Sequence, residues 1–212
     1  QFPEFNKVTN IFLYEKSNLL ISLQKKNINN LKVKWIKNFA SLKKGPIIFF
    51  GNEFFDAIPI KQFSRKRKIW MEKYYSINKE KKINEIYKKD LEKNILKIKK
   101  FKVLKKLKFI EFPKIGFNEL NKIIEKISRF EGGLLLIDYG YLKPKNENTL
   151  QSLIKHERNN LLDNLGKADI TSLVNFNLLN EYFIKSNLKV KKIVTQKFFL
   201  EKMGIIERAN NL

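Results

Sequence analysis

The sequence predicts an α/β domain of three layers around a mostly parallel sheet. Three observations carry this. First, short apolar runs rich in β-branched and aromatic residues (Val8–Tyr14, Leu31–Ile36, Ile47–Phe50 and Leu134–Ile137) alternate with helical patterns. Second, Phe117, Leu120, Ile123, Ile124, Ile127 and Phe130 form one apolar stripe at helical spacing, stopped by Gly132–Gly133. Third, two of the apolar runs end alike. Asn52, Glu53, Phe54, Phe55 and Asp56 follow one, and Asp138, Tyr139 and Tyr141 follow the other. In open α/β sheets, ligands bind beyond the carboxyl ends of strands. The plainer alternative is that such residues only turn and cap the chain as it leaves a strand.

Composition bounds the problem. A chain of 212 residues with 43% hydrophobic residues and 18 Phe can bury a sizeable core. No apolar run approaches the roughly 20 residues that span a bilayer. With no Cys, thiolate chemistry, disulfides and thiolate metal sites are excluded, and no metal site is expected. The formal charge is +23, and residues 65–108 hold 18 Lys or Arg against five Asp or Glu, a net +13. Such a surface suits nucleic acid, acidic membranes or acidic proteins; solvated lysines on helix faces are the plainer account.

Val8–Tyr14 reads as a strand closed by Glu15, and Ser17 then caps a helix to about Ile28 with Leu19, Leu20 and Leu23 as its buried side. A strand that ends in an acid and leads into a helix is the second strand of a nucleoside-binding sheet. There the carboxylate takes hydrogen bonds from ribose hydroxyls. A helix-entry glutamate favoured by the helix dipole is the alternative for Glu15. Leu31–Ile36 is a third short strand, and Asn38 in the following loop could offer its amide to an adenine edge. Gly45–Pro46 turns the chain into Ile47–Phe50, read as a strand buried on both faces. Arg65–Asn78 reads as a β-hairpin, and Lys79–Lys106 has apolar residues at roughly helical spacing. Lys61–Lys108 breaks the αβ alternation and is expected to be a Lys-rich insertion. Leu107–Phe112 is an extended segment. Asn146–Asn175 reads as irregular and carries the one histidine, His156. Phe176–Lys185 is a helix, Val190–Val194 a strand and Lys197–Met203 a helix.

NEFFDAIPI (Asn52–Ile60) closely resembles the NEFFDALPV-type signature of the MidA-like methyltransferases, the family of a mitochondrial complex I assembly factor. GGLLLIDYGY (Gly132–Tyr141) is similar to that family's GGALLIDYGY. TLQSLIKHE…LGKADITSLVNF (Thr149–Phe176) is similar to its TLQ…H…PGEADLTAHVDF, and the segment from Thr195 matches more weakly. These motifs run in the family's order from about Ile11 onward. The resemblance implies a class I methyltransferase fold, Rossmann-like, with S-adenosyl-L-methionine as cofactor. It implies Glu15, Asn38 and Asn52 as cofactor residues and Glu53, Asp56 and Asp138 as catalytic ones. Phe54, Phe55, Tyr139, Tyr141, His156, Asp169 and Thr171 become candidates for the substrate side. Leu173 and Asn175 depart from the family, which usually has His and Asp there. No GxGxG loop is present, so residues 1–212 read as a partial domain, lacking the glycine-rich strand and the C-terminal end.

The same resemblance implies transfer of methyl to an arginine on a protein, with a respiratory complex I subunit as partner; a homodimer is possible, and the sequence does not give the oligomeric state. The setting would be a bacterial cytoplasm or, in a eukaryote, the mitochondrial matrix. Arginine stays protonated in water, so carboxylates must orient it and localise a lone pair, and aromatic rings can stack on its plane. Two other readings stay open: a non-catalytic assembly protein that keeps the fold, and a methyltransferase that binds nucleic acid.

Overall fold

The computed structural model describes residues 3–28, 32–80, 82–90, 94–155 and 157–211. They divide into two compact units, Gln1–Ile48 with Glu125–Gly133, and Phe49–Ile124 with Leu134–Leu212. A short helix α1 (Pro3–Val8) precedes β1 (Ile11–Tyr14). Helix α2 (Asn18–Asn27) starts where Ser17 accepts the Leu20 amide at 3.3 Å, the capping bond expected of a serine there. Strand β2 (Val33–Ile36) lies parallel to β1, Ile11 opposite Val33 and Tyr14 opposite Ile36. The Trp35 indole donates to Gln24 at 2.8 Å and ties α2 to β2. Leu19, Leu20 and Leu23 do not form a buried side: they are 70%, 46% and 46% exposed. The spacing that makes a helix amphipathic is local, but burial needs a partner, and none of the described residues covers this face.

Strand β3 (Ile47–Asn52) pairs with β8 (Gly132–Ile137). The pairing is parallel: Ile47 N donates to Glu131 O at 3.0 Å, and six residues further along both strands Glu53 N donates to Ile137 O at 2.9 Å. Gly132 has φ +124°, and a Cβ there would stand 1.8 Å from the Ile47 carbonyl oxygen, so only glycine allows this approach. Strand β3 is not buried on both faces. Its residues alternate in exposure, with Ile48 78% and Phe50 65% exposed. Nor do the four strands expected as neighbours form one sheet; β1–β2 and β3–β8 are separate ladders. In a doubly wound sheet the first strand stands between the second and the fourth.

Strands β4 (Lys61–Lys66), β5 (Ile69–Ile77), β6 (Ile83–Lys89) and β7 (Phe109–Phe112) form an antiparallel sheet in the order β6-β5-β4-β7. The predicted hairpin is β4–β5. The helical reading of Lys79–Lys106 fails over β6, which pairs with β5 from Met71↔Lys89 to Ile77↔Ile83. Continuous cross-strand pairing outweighs a local 3.6-residue spacing. The helical stretch there is short, α3 (Asn94–Ile98), opened by Asp90, which accepts the Ile95 amide at 2.8 Å. Helix α4 (Lys114–Phe130) follows β7, and its predicted stripe is buried at Phe117, Leu120, Ile123, Ile124 and Ile127.

The tail of the chain is more regular than its polarity suggests. Strand β9 (Gly140–Tyr141) is parallel to β13 (Val174–Asn175). Strands β10 (Gln151–Ile154), β11 (Glu157–Asn159) and β12 (Asp169–Thr171) form an antiparallel ladder with β10 central. Helices α5 (Phe176–Lys185), α6 (Gln196–Lys202) and α7 (Ile205–Asn210) complete the chain. The strand expected at Val190–Val194 is absent, because that segment has no ladder partner among the described residues.

The second unit is built around aromatic rings. Phe117 stacks on Tyr182 with centroids 4.0 Å apart and planes 6° apart, and Phe101 and Phe112 close around them. The Tyr182 hydroxyl donates to the Phe117 carbonyl at 2.9 Å, and burial raises its pKa to about 12. Leu120, on the same helix as Phe117, is 0% exposed. Leu120→Ala is therefore expected to lower unfolding free energy by about 2–5 kcal/mol. Asn118→Ala, at an exposed position of α4, should change it by less than about 0.5 kcal/mol. Urea unfolding followed by circular dichroism checks both.

Candidate functional site

The candidate site is built where β3 and β8 end side by side in the second unit. Past Asn52 the chain must leave the ladder, and Glu53 does so with φ +49°, the left-handed region that non-glycine residues rarely occupy. Such strain persists where the surroundings hold it, and it concentrates at functional sites. What holds it is visible. Glu53 N still bonds to Ile137 O, extending the parallel ladder by one step. One residue further on β8's side stands Asp138. Its Oδ2 accepts the backbone N–H of Phe55 at 2.8 Å and of Asp56 at 3.2 Å, and its Oδ1 accepts the Tyr139 N–H at 2.8 Å. Both oxygens are thus committed to backbone. The Tyr139 hydroxyl reaches back and donates to Glu53 Oε1 at 3.0 Å.

The two strand exits are tied in turn to the later segment. Ser172 N donates to the Asp56 carbonyl at 3.0 Å and Val174 N to the Tyr139 carbonyl at 2.8 Å. Gly140 permits this: a Cβ on it would lie 2.1 Å from the Val174 carbonyl oxygen. Three carboxyl groups, of Glu53, Asp56 and Asp138, and a tyrosine hydroxyl are thereby drawn together on a chain of charge +23.

The electrostatics follow from this crowding. Burial pushes the Asp56 carboxyl above its ordinary value, and the Asp138 and Glu53 charges push the same way; the Ala57 N–H, donating to Asp56 Oδ1 at 2.8 Å, partly opposes them. Burial also raises Asp138, against the three backbone N–H groups that favour its anion. The Tyr139 hydroxyl is raised by its bond to Glu53.

The other predicted residues divide by place. Asn52 is exposed at the end of β3, and Phe54 is half-buried against Gly51. Phe55 leaves the stacking set: it is 4% exposed, with its ring 6.4 Å from Phe117 and against the Gly116 backbone. The alternation of the turn sends one phenylalanine into the core. Tyr141 is half-buried in a cavity lined with Glu111, Asn175 and Leu178, and bonds to Asn175; burial first, then the Glu111 charge, raises its pKa to about 12. Asp169 and Thr171 lie in β12, where Thr171 accepts from Gln151 at 3.2 Å. His156 lies outside the described residues. Asn175, one of the two positions that depart from the motif, caps α5 by accepting the Leu178 amide at 3.0 Å.

Glu15 and Asn38 belong to the first unit, where they follow the carboxyl ends of adjacent parallel strands. Glu15 N donates to Ile36 O at 3.1 Å, and Glu15 Oε1 accepts the Ser17 N–H at 2.8 Å. Asn38 Oδ1 accepts the Ala40 N–H at 2.9 Å. Sequence reasoning did not find Glu111. Its carboxylate accepts from Gln62 at 2.8 Å and from both the amide and hydroxyl of Thr149, at 3.0 and 2.5 Å. An acid inside the apolar FIEF strand was the available signal. Among the described residues no cluster of three His, Cys, Asp or Glu side chains could hold a metal ion, and no helix is long and apolar enough to cross a membrane.

Comparison with known proteins gives this geometry its context. The profile of a family described as "Putative S-adenosyl-L-methionine-dependent methyltransferase" matches residues 1–194. The mitochondrial protein arginine methyltransferase NDUFAF7 homolog of Caenorhabditis elegans is 27% identical over 237 residues, which covers 99% of this chain and 54% of that protein. The mitochondrial NDUFAF7 of Danio rerio is 26% identical over 178 residues, 84% of this chain and 42% of its own. The chain thus spans about half the length of the curated relatives it matches. A crystal structure of a COG1565 superfamily protein from Burkholderia thailandensis superposes with a TM-score of 0.76 at 16% identity, covering 96% of this chain and 57% of that one. A second superfamily member from that organism, bound to S-adenosyl-homocysteine, superposes with a TM-score of 0.65 at 16% identity, covering 84% and 48%. These likenesses establish the shared α/β fold, and the profile match over most of the chain decides the family: the chain belongs to the S-adenosyl-L-methionine-dependent methyltransferases.

Proposed function

We propose that the protein methylates an arginine side chain of a protein substrate. The observation that carries this reading is the cluster of Glu53, Asp56, Asp138 and Tyr139 on a strongly basic chain. Three carboxyl groups crowded together cost free energy unless a cation shares them. A guanidinium is planar, always charged, and donates five N–H groups in a fixed fork. Glu53, with one oxygen engaged by Tyr139, accepts from the substrate through the other. Asp56, with Oδ1 on the Ala57 amide, does the same through Oδ2 and receives the proton that leaves as nitrogen becomes methylated. Its raised pKa makes it a better proton acceptor than an ordinary carboxylate. Asp138 is a positioning residue, since backbone N–H groups occupy both its oxygens. The exposed Tyr139 ring offers a face for stacking on the cation.

S-adenosylmethionine, when bound, supplies an electrophilic methyl group. The polar groups of the first unit suit its nucleoside part: the free oxygen of Glu15 would accept from ribose hydroxyls, and the Asn38 amide would meet the adenine edge. Asn52 is assigned to the cofactor by the motif it belongs to. Names of the curated relatives support an arginine substrate, and the motif resemblance extends it to a subunit of respiratory complex I.

Glu53→Gln keeps an acceptor for Tyr139 but loses the charge. It should lower kcat/KM by about 10–100-fold, the loss of one charge-assisted bond of about 1.5–3 kcal/mol, and leave folding intact. Transfer of labelled methyl to a complex I subunit reads this; full activity would reduce Glu53 to a turn residue.

Asp56 makes a prediction with a sign. Its folded-state pKa lies above the unfolded one, so the native state holds more protons in that window, and stability falls as pH rises through it. At neutral pH the ionised Asp56 therefore costs stability. Asp56→Asn should hold or raise Tm at neutral pH and lose activity. The acid limb of the wild-type pH–rate profile should lie above the ordinary carboxylate range. A variant that is less stable and fully active would refute both points.

Glu15→Gln retains the Ser17 bond while weakening the acceptor. Calorimetry should show S-adenosylmethionine binding weakened by about 10-fold or more; unchanged affinity would remove Glu15 from the cofactor site.

A further inference from the structure

We propose that the outer face of the β4–β5–β6 sheet binds single-stranded nucleic acid. This site lies apart from the acidic cluster in the sequence and is independent of the methyl-transfer reading. Strand alternation and register define the face. Phe63 and Glu72, opposite one another, are buried on the inner side at 0% and 3% exposure. The outer side carries Lys66 on β4, Lys73 and Tyr75 on β5, and Tyr87 and Lys89 on β6. Tyr87 stands opposite Lys73, and Tyr75 opposite Glu85, so the two rings are diagonal neighbours on adjacent strands. Diagonal neighbours lie roughly 7–8 Å apart, a spacing that lets consecutive splayed bases each meet a ring. Both tyrosines are 37% exposed. Each has an ammonium over it: Lys66 Nζ is 4.7 Å from the Tyr87 centroid, and Lys73 Nζ, its side chain buried and paired with Glu85, is 5.1 Å from that of Tyr75, so Lys66 and Lys89 are the cations this face leaves open. An aromatic platform interleaved with cations is how sequence-tolerant single-strand binding is built.

Solvated lysines of a Lys-rich composition do not account for two further features. The carboxylates of the sheet are already engaged, Glu72 by Lys61 at 2.6 Å, Glu85 by Lys73 at 2.5 Å and Glu80 by Lys82 at 3.1 Å. Among the described residues Lys66 and Lys89 on this face, and Arg67 and Lys68 in the turn beside it, then have no carboxylate within salt-bridge distance. The second feature is the β4–β5 turn. Arg67 and Lys68 occupy it with φ +45° and +70°, a two-residue turn that strongly prefers Asn-Gly. The chain places two cations at the sheet's end in a conformation that bulky residues resist.

The test is fluorescence anisotropy of labelled oligouridylate and oligothymidylate, twelve nucleotides long, between 50 and 200 mM salt. Binding is expected for both, with log K falling linearly with log salt by about 0.7 per phosphate neutralised. Tyr75→Ala and Tyr87→Ala should each weaken it about tenfold. Lys66→Ala with Lys89→Ala should reduce the salt slope by about 1.4. These positions are exposed, so unchanged melting temperatures confirm folding, and S-adenosylmethionine affinity should not move. No measurable binding at 50 mM salt overturns the proposal. So does an affinity that the tyrosine variants leave unchanged, which would mean polyelectrolyte attraction alone. Retention on phosphatidylserine vesicles in place of the oligonucleotides would reassign the face to a membrane.

Discussion

The second unit's candidate site depends on one carboxylate. Asp138 accepts three backbone N–H groups, two from the turn after β3 and one from its own strand exit. Without it the left-handed Glu53 and the amides of Phe55 and Asp56 would have lost their common anchor. Ionising a half-buried carboxyl beside two others is unfavourable, and its raised pKa records that. Three N–H donors offset much of the cost, since each favours the anion. The result is a turn fixed from outside by charge and from inside by packing. Phe55, its neighbour on the clamped stretch, is driven into the aromatic core against Phe117 and Gly116. A single bend is thus held at two points, which leaves Glu53 and Asp56 little freedom to move.

That core explains why the bend is where it is. Phe117 stacks on Tyr182, Phe101 and Phe112 surround the pair, and Glu181 caps the turn at Lys102 and Val103 through both carboxylate oxygens, at 2.8 and 3.1 Å. Helix α4, strand β7 and helix α5 therefore share one set of rings. Glu111, on the same strand as Phe112, faces the other way and ties down Thr149. Side-chain alternation along four residues of β7 joins the aromatic core to the segment that leads into β10. The Ser172 and Val174 amides then return this segment to the strand exits.

Much of this was legible in the sequence. Helix α4 could be read because its apolar stripe persists over four turns, and periodicity is strongest where it is long. The strand exits could be read because Asp138 and Asp56 stand in repeated apolar-then-acid patterns. The clamp itself could not, since it joins residues 82 and 83 positions apart in sequence through backbone atoms that no side-chain pattern reports. Strand β6 was misread because Ile83, Ile86 and Tyr87 satisfy helical spacing, while its state is decided by β5 alongside. The missing strand at Val190–Val194 is the converse, a β-prone run with no ladder to join. Exposure of Ile48, Phe50 and the α2 leucines marks the limit of composition: apolar patterns identify which face could be buried, and a second surface must exist for it to be so.

The charge distribution completes the physical account. At physiological ionic strength a charge is screened beyond about 8 Å. The +23 of the chain therefore does not act on a bound substrate as one charge; local arrangement decides. Around Glu53, Asp56 and Asp138 the local sign is negative. At the acidic cluster the nearest donors are backbone amides and a tyrosine hydroxyl, which polarise the carboxylates but do not neutralise them. On the outer β4–β6 face Glu85 is matched by Lys73, and among the described residues Lys66 and Lys89 keep no carboxylate partner. One chain thereby presents anionic and cationic surfaces, each kept by withholding the counter-ion that would cancel it. Solubility requires neither arrangement. In the proposed readings each surface meets a ligand that brings the missing sign with it.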